Sequence, residues 1–556
     1  MSTATLPPRH RTQRTPRQGR GGDTAITGTS LLARALVRRT RWSWLAWIVC
    51  LVAIFPATAG AYRQSVPDTA AGAEMARTLA ANPTMRAILG PPFDLLNVGP
   101  FVMWRVGTFA IALAGIMAIL GVVKGTRAEE EDGRLELLRS GAVGRHAPLA
   151  ASALVSLAGC AAVGLLAGAA MAGPSGDVIG SVALGLAVGL GAAVWVGVAA
   201  VAAQVTESAR GARGLALGAL GAAYGLRAVA DGSDPMITGL QWASPLDWPA
   251  LSRPYADERW LVLLLPAALT AALVALAFVL EGRRDHGAGL RPAALGPADA
   301  SRSLRDAPSL TWRLDRTTVV SWSIGLAIFA YGMGTLASSL STLLADNPVL
   351  AERFRRMGAG AQDLQDAFYV AMIGILVPIV ALLALQLFGV LRREEERGHA
   401  ELLLSTAVSR PQLLVSHVAA AVLVPTLVLV GLGFFMALPQ VVAGDGLGLA
   451  VTLAGAGLAQ LPGVLLVLGL AVALHGWLPR LGLVPWLVVG WSLAMSWLGE
   501  VMGLPEALVR ATPFAPLPRL PVEQLAWTPI VVSLLVALAL MAVGLVGYRR
   551  RDLSTG

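Results

Sequence analysis

Residues 127–145, RAEEEDGRLELLRSGAVGR, fall on residues 392–410, RREEERGHAELLLSTAVSR, after a shift of 265 positions and without a gap. Arg127, Glu129, Glu130, Glu131, Gly133, Glu136, Leu137, Leu138, Ser140, Ala142, Val143 and Arg145 all recur. A single acidic cluster of this kind reads as a solvated turn. Two copies with the same internal spacing mark a duplicated unit.

Both copies lie between long apolar runs. The chain has 556 residues, of which 55% are hydrophobic and only 14% charged, against about a quarter charged in a soluble domain. Crossing a bilayer as helix takes roughly 20 apolar residues. Twelve runs are predicted as spans: 43–62, 101–124, 146–172, 178–205, 211–230, 260–280, 317–340, 367–391, 412–437, 447–473, 481–499 and 526–547. The expected fold is therefore an all-α polytopic membrane protein. Ala57-Thr58-Ala59 has the small-residue pattern of a signal-peptidase site. The long basic region ahead of it and the matching mid-chain span favour an uncleaved span.

The repeat extends beyond the glutamates. Asn82-Pro83 matches Asn347-Pro348 at the same shift, Ser43-Trp44 matches Ser321-Trp322 at 278, and Arg283-Arg284-Asp285 matches Arg550-Arg551-Asp552 at 267. The expected organisation is a basic, disordered tail (1–28), a first six-span half (29–285), a cytoplasmic linker (286–308) and a second six-span half (309–556). Parallel six-span repeats imply a pseudo-twofold axis along the membrane normal. The net charge of +9 is carried by arginines that cluster in alternate connecting segments. The positive-inside rule explains them, with both termini and the linker cytoplasmic, and no nucleic-acid partner is called for.

Other features are bland. Cys50 and Cys160 lie in apolar runs and read as small fillers. Gly214, Gly218, Gly221 and Gly225 form overlapping GxxxG-type pairs in the fifth run, a pattern for close helix approach. Arg105 and Arg227 are the charges nearest to the membrane interior, and Arg227 is expected to snorkel outward. The six histidines form no HExxH or paired ligand pattern, so no metal is expected. Gln386 and Gln460 are the polar candidates for a substrate path, with packing hydrogen bonds as the competing reading.

Taken as helix, Glu129, Gly133, Glu136 and Ser140 form one stripe, as do Glu394, Gly398, Glu401 and Ser405, with Leu138 and Leu403 on the opposite apolar side. The glycine leaves a second geometry open, in which the helix ends after the glutamates. A short helix with one acidic and one apolar side suits docking on another protein.

These two segments, EEEDGRLELLRSGAVGR and EEERGHAELLLSTAVSR, resemble the coupling-helix segment of type-2 ATP-binding-cassette exporter permeases. The tandem architecture resembles the actinobacterial permeases described as polyketide-antibiotic or tetronasin-like exporters. The resemblance implies an interfacial elbow helix before the first span of each half, at 30–42 and 309–316. It also implies cytoplasmic coupling helices that dock an ATPase through Glu129, Glu130, Glu131, Gly133, Glu136, Leu138 and Ser140, and through Glu394, Glu395, Glu396, Gly398, Glu401, Leu403 and Ser405. The copies differ where Arg139 faces Leu404, Asp132 faces Arg397 and Gly141 faces Thr406, which bears on their equivalence. Lys124, in GVVKGT, is the sole lysine, so the chain has no GxxxxGK[ST] phosphate loop. The chain is then a permease in the cell membrane and not itself an enzyme. ATP and Mg belong to a separate ATPase, two copies per permease, and the cargo implied is a hydrophobic small molecule such as an antibiotic or drug. The competing reading is a six-plus-six secondary carrier of the major-facilitator type. It lacks support from carboxylates inside the spans, which ion coupling ordinarily uses.

Overall fold

The computed structural model describes residues 25–65, 83–133, 143–285, 288–291, 296, 298–299, 301, 304–346, 361–444, 447–498, 507–508 and 511–551. Most of the tail, much of the linker, the pair Asn347-Pro348, and Glu136, Leu138 and Ser140 lie outside them. All regular structure among the described residues is helical. The contacts divide the chain into two compact units, Met1–Leu295 and Gly296–Gly556.

The first unit contains α1 (Thr29–Ser65), α2 (Val98–Glu131), α3 (Ala147–Ser175), α4 (Val178–Val205), α5 (Ala209–Gly232) and α6 (Trp260–Arg283). The second contains α7 (Ala307–Asp346), α8 (Ala361–Glu396), α9 (Arg410–Ala443), α10 (Gly448–Trp477), α11 (Val484–Leu498) and α12 (Trp527–Arg550). Ten of these are long and apolar enough to cross a membrane. The two that fall short are α5 and α11, the fifth helix of each unit. Arg210, Arg213, Arg227 and Asp231 make α5 too polar, and α11 has 15 described residues.

The expected elbow helices are not separate. Residues 30–42 form the opening turns of α1, and 309–316 those of α7. No Gly or Pro interrupts the sequence between Ser30 and Phe55, or between Ser309 and Ile324, so nothing breaks the backbone hydrogen-bond ladder. With 37 residues, α1 is about 55 Å long, well beyond a hydrocarbon core of about 30 Å.

Corresponding helices pack in corresponding pairs. In the first unit α1 lies on α3, α3 on α4, and α4 on α6; in the second α7 lies on α9, α9 on α10, and α10 on α12. Glycine lets the backbones meet. A Cβ at Gly164 of α3 would collide with the Gly185 carbonyl of α4, and one at Gly433 of α9 with the Leu453 carbonyl of α10. Without a hydrophobic drive between helices in lipid, such close van der Waals contact supplies much of the association. The glycines of α5 do not serve this end. Nothing lies within 4 Å of a Cβ built at Gly214, Gly218, Gly221 or Gly225.

Arg227 departs from expectation as well. It is fully buried instead of snorkelling, because α5 brings it to two carboxylates that neutralise it. Its Nε lies 2.9 Å from Asp247 Oδ1 and 3.4 Å from Asp231 Oδ2. Gln241 Nε2 donates to Asp231 Oδ1 at 2.7 Å, and Arg86 Nε donates to the Asp231 carbonyl at 3.1 Å. Asp247 lies in the connection between α5 and α6. Burial pushes its carboxyl up to about 7, against the opposing pull of Arg227.

Candidate coupling segments

The two acidic segments share one local geometry. Helix α2 ends at Glu131 and α8 at Glu396, and two residues later Gly133 and Gly398 take φ of +70° and +74°. The N–H of Gly133 donates to the Glu130 carbonyl at 3.1 Å, and that of Gly398 to the Glu395 carbonyl at 3.0 Å. This is a left-handed helix stop, which glycine adopts without the Cβ clash that other residues meet. The acidic stripe is therefore not continuous. In the second unit the chain restarts as a short helix, His399–Leu404, before Ser409 and Gln412 close a capping box at the head of α9.

Three carboxylates at a helix C-terminus oppose the helix dipole, so each requires a donor. The middle glutamate of each triplet is the most enclosed of its three. Glu130 lies 2.7 Å from Arg127 and 2.7 Å from Arg284. Its counterpart Glu395 lies 2.5 Å from Arg551 and 3.2 Å from His475. Arg284 and Arg551 are the arginines whose recurrence closes each half of the sequence. A third matched residue completes the arrangement. Arg145 donates to the Arg284 carbonyl at 2.8 Å, and Arg410 donates to the Arg551 carbonyl at 2.8 Å. In each unit the end of the second helix, the end of the sixth and the approach to the third are thus tied at one point.

The flanking glutamates differ between copies. In the first, Glu129 pairs with Arg39 of α1, and Glu131 accepts the Ala209 N–H at 2.8 Å, at the head of α5. In the second their partners are local. Glu394 meets His399 at 3.0 Å and Glu396 meets Arg392 at 2.8 Å. Glu396 and Arg392 keep 60% and 47% of their side-chain surface. On the short helix Ala400 is buried and Leu403 packs against the unit's core, whereas Glu401 and Ser405 are exposed and Leu402 is 69% exposed. Leu403 therefore faces inward, and Leu402 is the apolar side chain left outside.

The two glutamines occupy different settings. Gln386 accepts the Trp322 indole N–H at 2.8 Å. Gln460, at the junction inside α10, donates to the Pro518 carbonyl at 2.9 Å and borders a cavity of about 480 Å³ with Arg519 and Glu523 in its wall. Among the described residues no group of His, Cys, Asp or Glu is placed to hold a metal ion.

The sequence signal for the tied point was already present in the matched triplet, the matched RRD and the matched Arg145 and Arg410. What it lacked was any sign that these three markers meet. Comparison with known proteins supplies the wider frame. The family model described as the multidrug efflux system permease Rv1217c, C-terminal domain, matches residues 32–280 and 304–549. The chain is 36% identical over 546 residues to the multidrug efflux system permease protein Rv1217c of Mycobacterium tuberculosis (strain ATCC 25618 / H37Rv), with 97% of each chain covered.

Proposed function

The chain belongs to the family of multidrug efflux system permeases represented by Rv1217c, and from that premise we propose that it is the membrane permease of an ATP-driven exporter. It is a multi-pass membrane protein and a transport protein rather than an enzyme. In our reading its ATPase is a separate polypeptide, present in two copies, which binds ATP and Mg. The cargo is a hydrophobic small molecule such as an antibiotic or drug.

The observation that carries this reading is the doubled tie between acidic segment and helix ends. A partner pressing on residues 396–405 acts on a segment covalently continuous with α8. The buried Glu395–Arg551 pair joins α8 to α12, and Arg410 joins both to α9. Force applied there moves several helix ends together instead of bending one loop. The first unit repeats the tie with Glu130, Arg284 and Arg145. The ion-coupling carboxylates that a secondary carrier ordinarily uses are not found inside the apolar runs.

The test is purification of the chain alone and with its candidate ATPase. ATP hydrolysis is expected only in the complex, stimulated by hydrophobic cargo, with two ATPase copies per permease by mass measurement. Hydrolysis by the permease alone, or a one-to-one complex, contradicts the reading.

A further inference from the structure

The two units differ at one place where the repeat makes the difference easy to read. Carrying the Ser43-Trp44 to Ser321-Trp322 match forward sets residues 43–51 of α1 against 321–329 of α7. Trp47 then falls on Gly325, and Leu51 on Phe329. The acidic-segment register sets Ile111 and Ala114 of α2 against Leu376 and Ile379 of α8, and Gly121 against Gln386.

In the first unit this region is filled. Trp44 lies so close to α2 and α3 that a Cβ at Gly121 or Gly159 would collide with its ring. Trp47 packs against the core, and Leu51, Ile111 and Ala114 are buried. In the second unit the same region is open. Glycine replaces the Trp47 side chain, and nothing lies within 4 Å of a Cβ built at Gly325. Gln386 in place of glycine meets Trp322 edge-on through a hydrogen bond. A cavity of about 400 Å³ results, bounded by Ser321, Trp322, Gly325 and Phe329 of α7 and by Leu376 and Ile379 of α8.

We propose that this cavity of the second unit is a binding site for uncharged, apolar small molecules carrying an aromatic ring. Its volume falls in the range of sites for drug-sized ligands, roughly 300–1,000 Å³. Trp322 and Phe329 supply aromatic surface, which gives large apolar contact at little cost in side-chain entropy. Gln386, outside the cavity wall, accepts the Trp322 indole N–H and so fixes that ring at the cavity's edge. An apolar wall with aromatic surface holds a ligand without demanding one shape, as a permease for varied cargo requires. In the first unit Trp47, packed against the core, stands at the position that Gly325 leaves open. That the occupant is transported cargo rests on the efflux reading above; that it binds does not.

The experiment uses the full-length permease in lipid nanodiscs, with Nile red as the uncharged apolar probe and energy transfer from tryptophan as the readout. Saturable binding is expected for the wild type. Gly325→Trp, which installs the residue of the first unit, is expected to weaken it at least tenfold, Gly325→Leu comparably, and Gln386→Ala a few-fold. Ile328→Trp, also exposed on α7 but not part of the cavity wall, is expected to leave it unchanged. Gly325→Leu carries the test if the tryptophan variant fails to elute as a single species. Unchanged affinity in the Gly325 variants overturns the site, as does an equal loss in Ile328→Trp. Dye uptake that matches protein-free nanodiscs also overturns it, by assigning the cavity to lipid chains. ATP-dependent Nile red export from cells separates the two claims. Expected binding without export removes the efflux reading and leaves the site, whereas export undiminished in Gly325→Trp removes the site and leaves the reading.

Discussion

Glu395 is 11% exposed and Arg551 16%, while the paired Glu130, Arg127 and Arg284 are 7%, 1% and 5% exposed. Removing one member of a buried pair strands the other, at a cost of about 3–5 kcal/mol. Glu130→Gln is therefore expected to cost about 3 kcal/mol, since two nearly buried arginines lose their carboxylate. Glu395→Gln should cost roughly 1–3 kcal/mol, because its arginine is better hydrated and keeps its bond to the His475 carbonyl. Thermal unfolding followed by tryptophan fluorescence measures both, and exchanging charges as Glu395→Arg with Arg551→Glu should recover part of the loss. No loss in either single variant removes the tie from the mechanism. The second residue-scale prediction concerns Asp247, raised to about 7 from an ordinary carboxylate value of 3.8. Between those values the folded chain holds a proton that the unfolded chain has released, so folding is favoured at the acidic end. That contribution is lost as pH rises through about 7, a tenfold difference in proton affinity being worth about 1.4 kcal/mol. The unfolding midpoint should fall from pH 5 to pH 8, and Asp247→Asn should flatten the slope. An unchanged slope in the variant assigns the titration elsewhere. The sequence displayed Glu130 and Arg284 as separate recurrences. A repeat gives matched positions and no distances, so the bond between them was not legible.

At the scale of the element, each acidic segment follows the second helix of its half as expected, and of the two shapes the sequence left open the structure has the one in which the helix ends after the glutamates. Spacing alone put Glu394, Gly398, Glu401 and Ser405 on one helical stripe. Gly398 at φ +74° ends that helix, because glycine takes the left-handed stop without a Cβ clash, and the ion pairs of the glutamates offset their place at the unfavourable end of the dipole. The elbow segments failed in the opposite direction. Basic residues at 34, 38, 39 and 41 signal an interface, but without a breaker they simply prolong α1. The break in the second segment leaves Glu396 and Glu401 exposed beside Leu402, and Glu395 enclosed behind them. Reversing Glu396 and Glu401 to arginine should therefore abolish docking while sparing the fold. Interfacial like-charge contact costs several kcal/mol, whereas exposed substitutions usually shift stability by less than about 0.5 kcal/mol. ATPase co-purification is expected to fall at least tenfold at unchanged unfolding temperature. Retention of the ATPase at wild-type level excludes this segment as the docking surface.

At the scale of the whole molecule, the apolar runs were legible as helices because hydropathy needs no tertiary information. All twelve runs were predicted as spans, and among the described residues the two helices that fall short in length or hydropathy are the fifth of each half, α5 and α11. The side on which each connection lies depends on those two helices, since one fewer crossing inverts everything after it. The arginine distribution sets a definite expectation. The α5–α6 connection, with Asp234, Asp247 and Asp257, belongs outside, and the segment after α8 belongs inside with the proposed ATPase. Thr238 and Thr406 are exposed residues of those two stretches. Cysteines placed there one at a time, with the exposed Cys50 replaced by serine, report the sidedness. A membrane-impermeant maleimide should label Thr238→Cys in intact cells, and Thr406→Cys only after permeabilisation. Labelling of Thr406→Cys from outside, with Thr238→Cys labelled only after permeabilisation, means that α5 does not cross, so that the second acidic segment and the proposed cytoplasmic ATPase lie on opposite faces. The docking proposal would then fall with the topology.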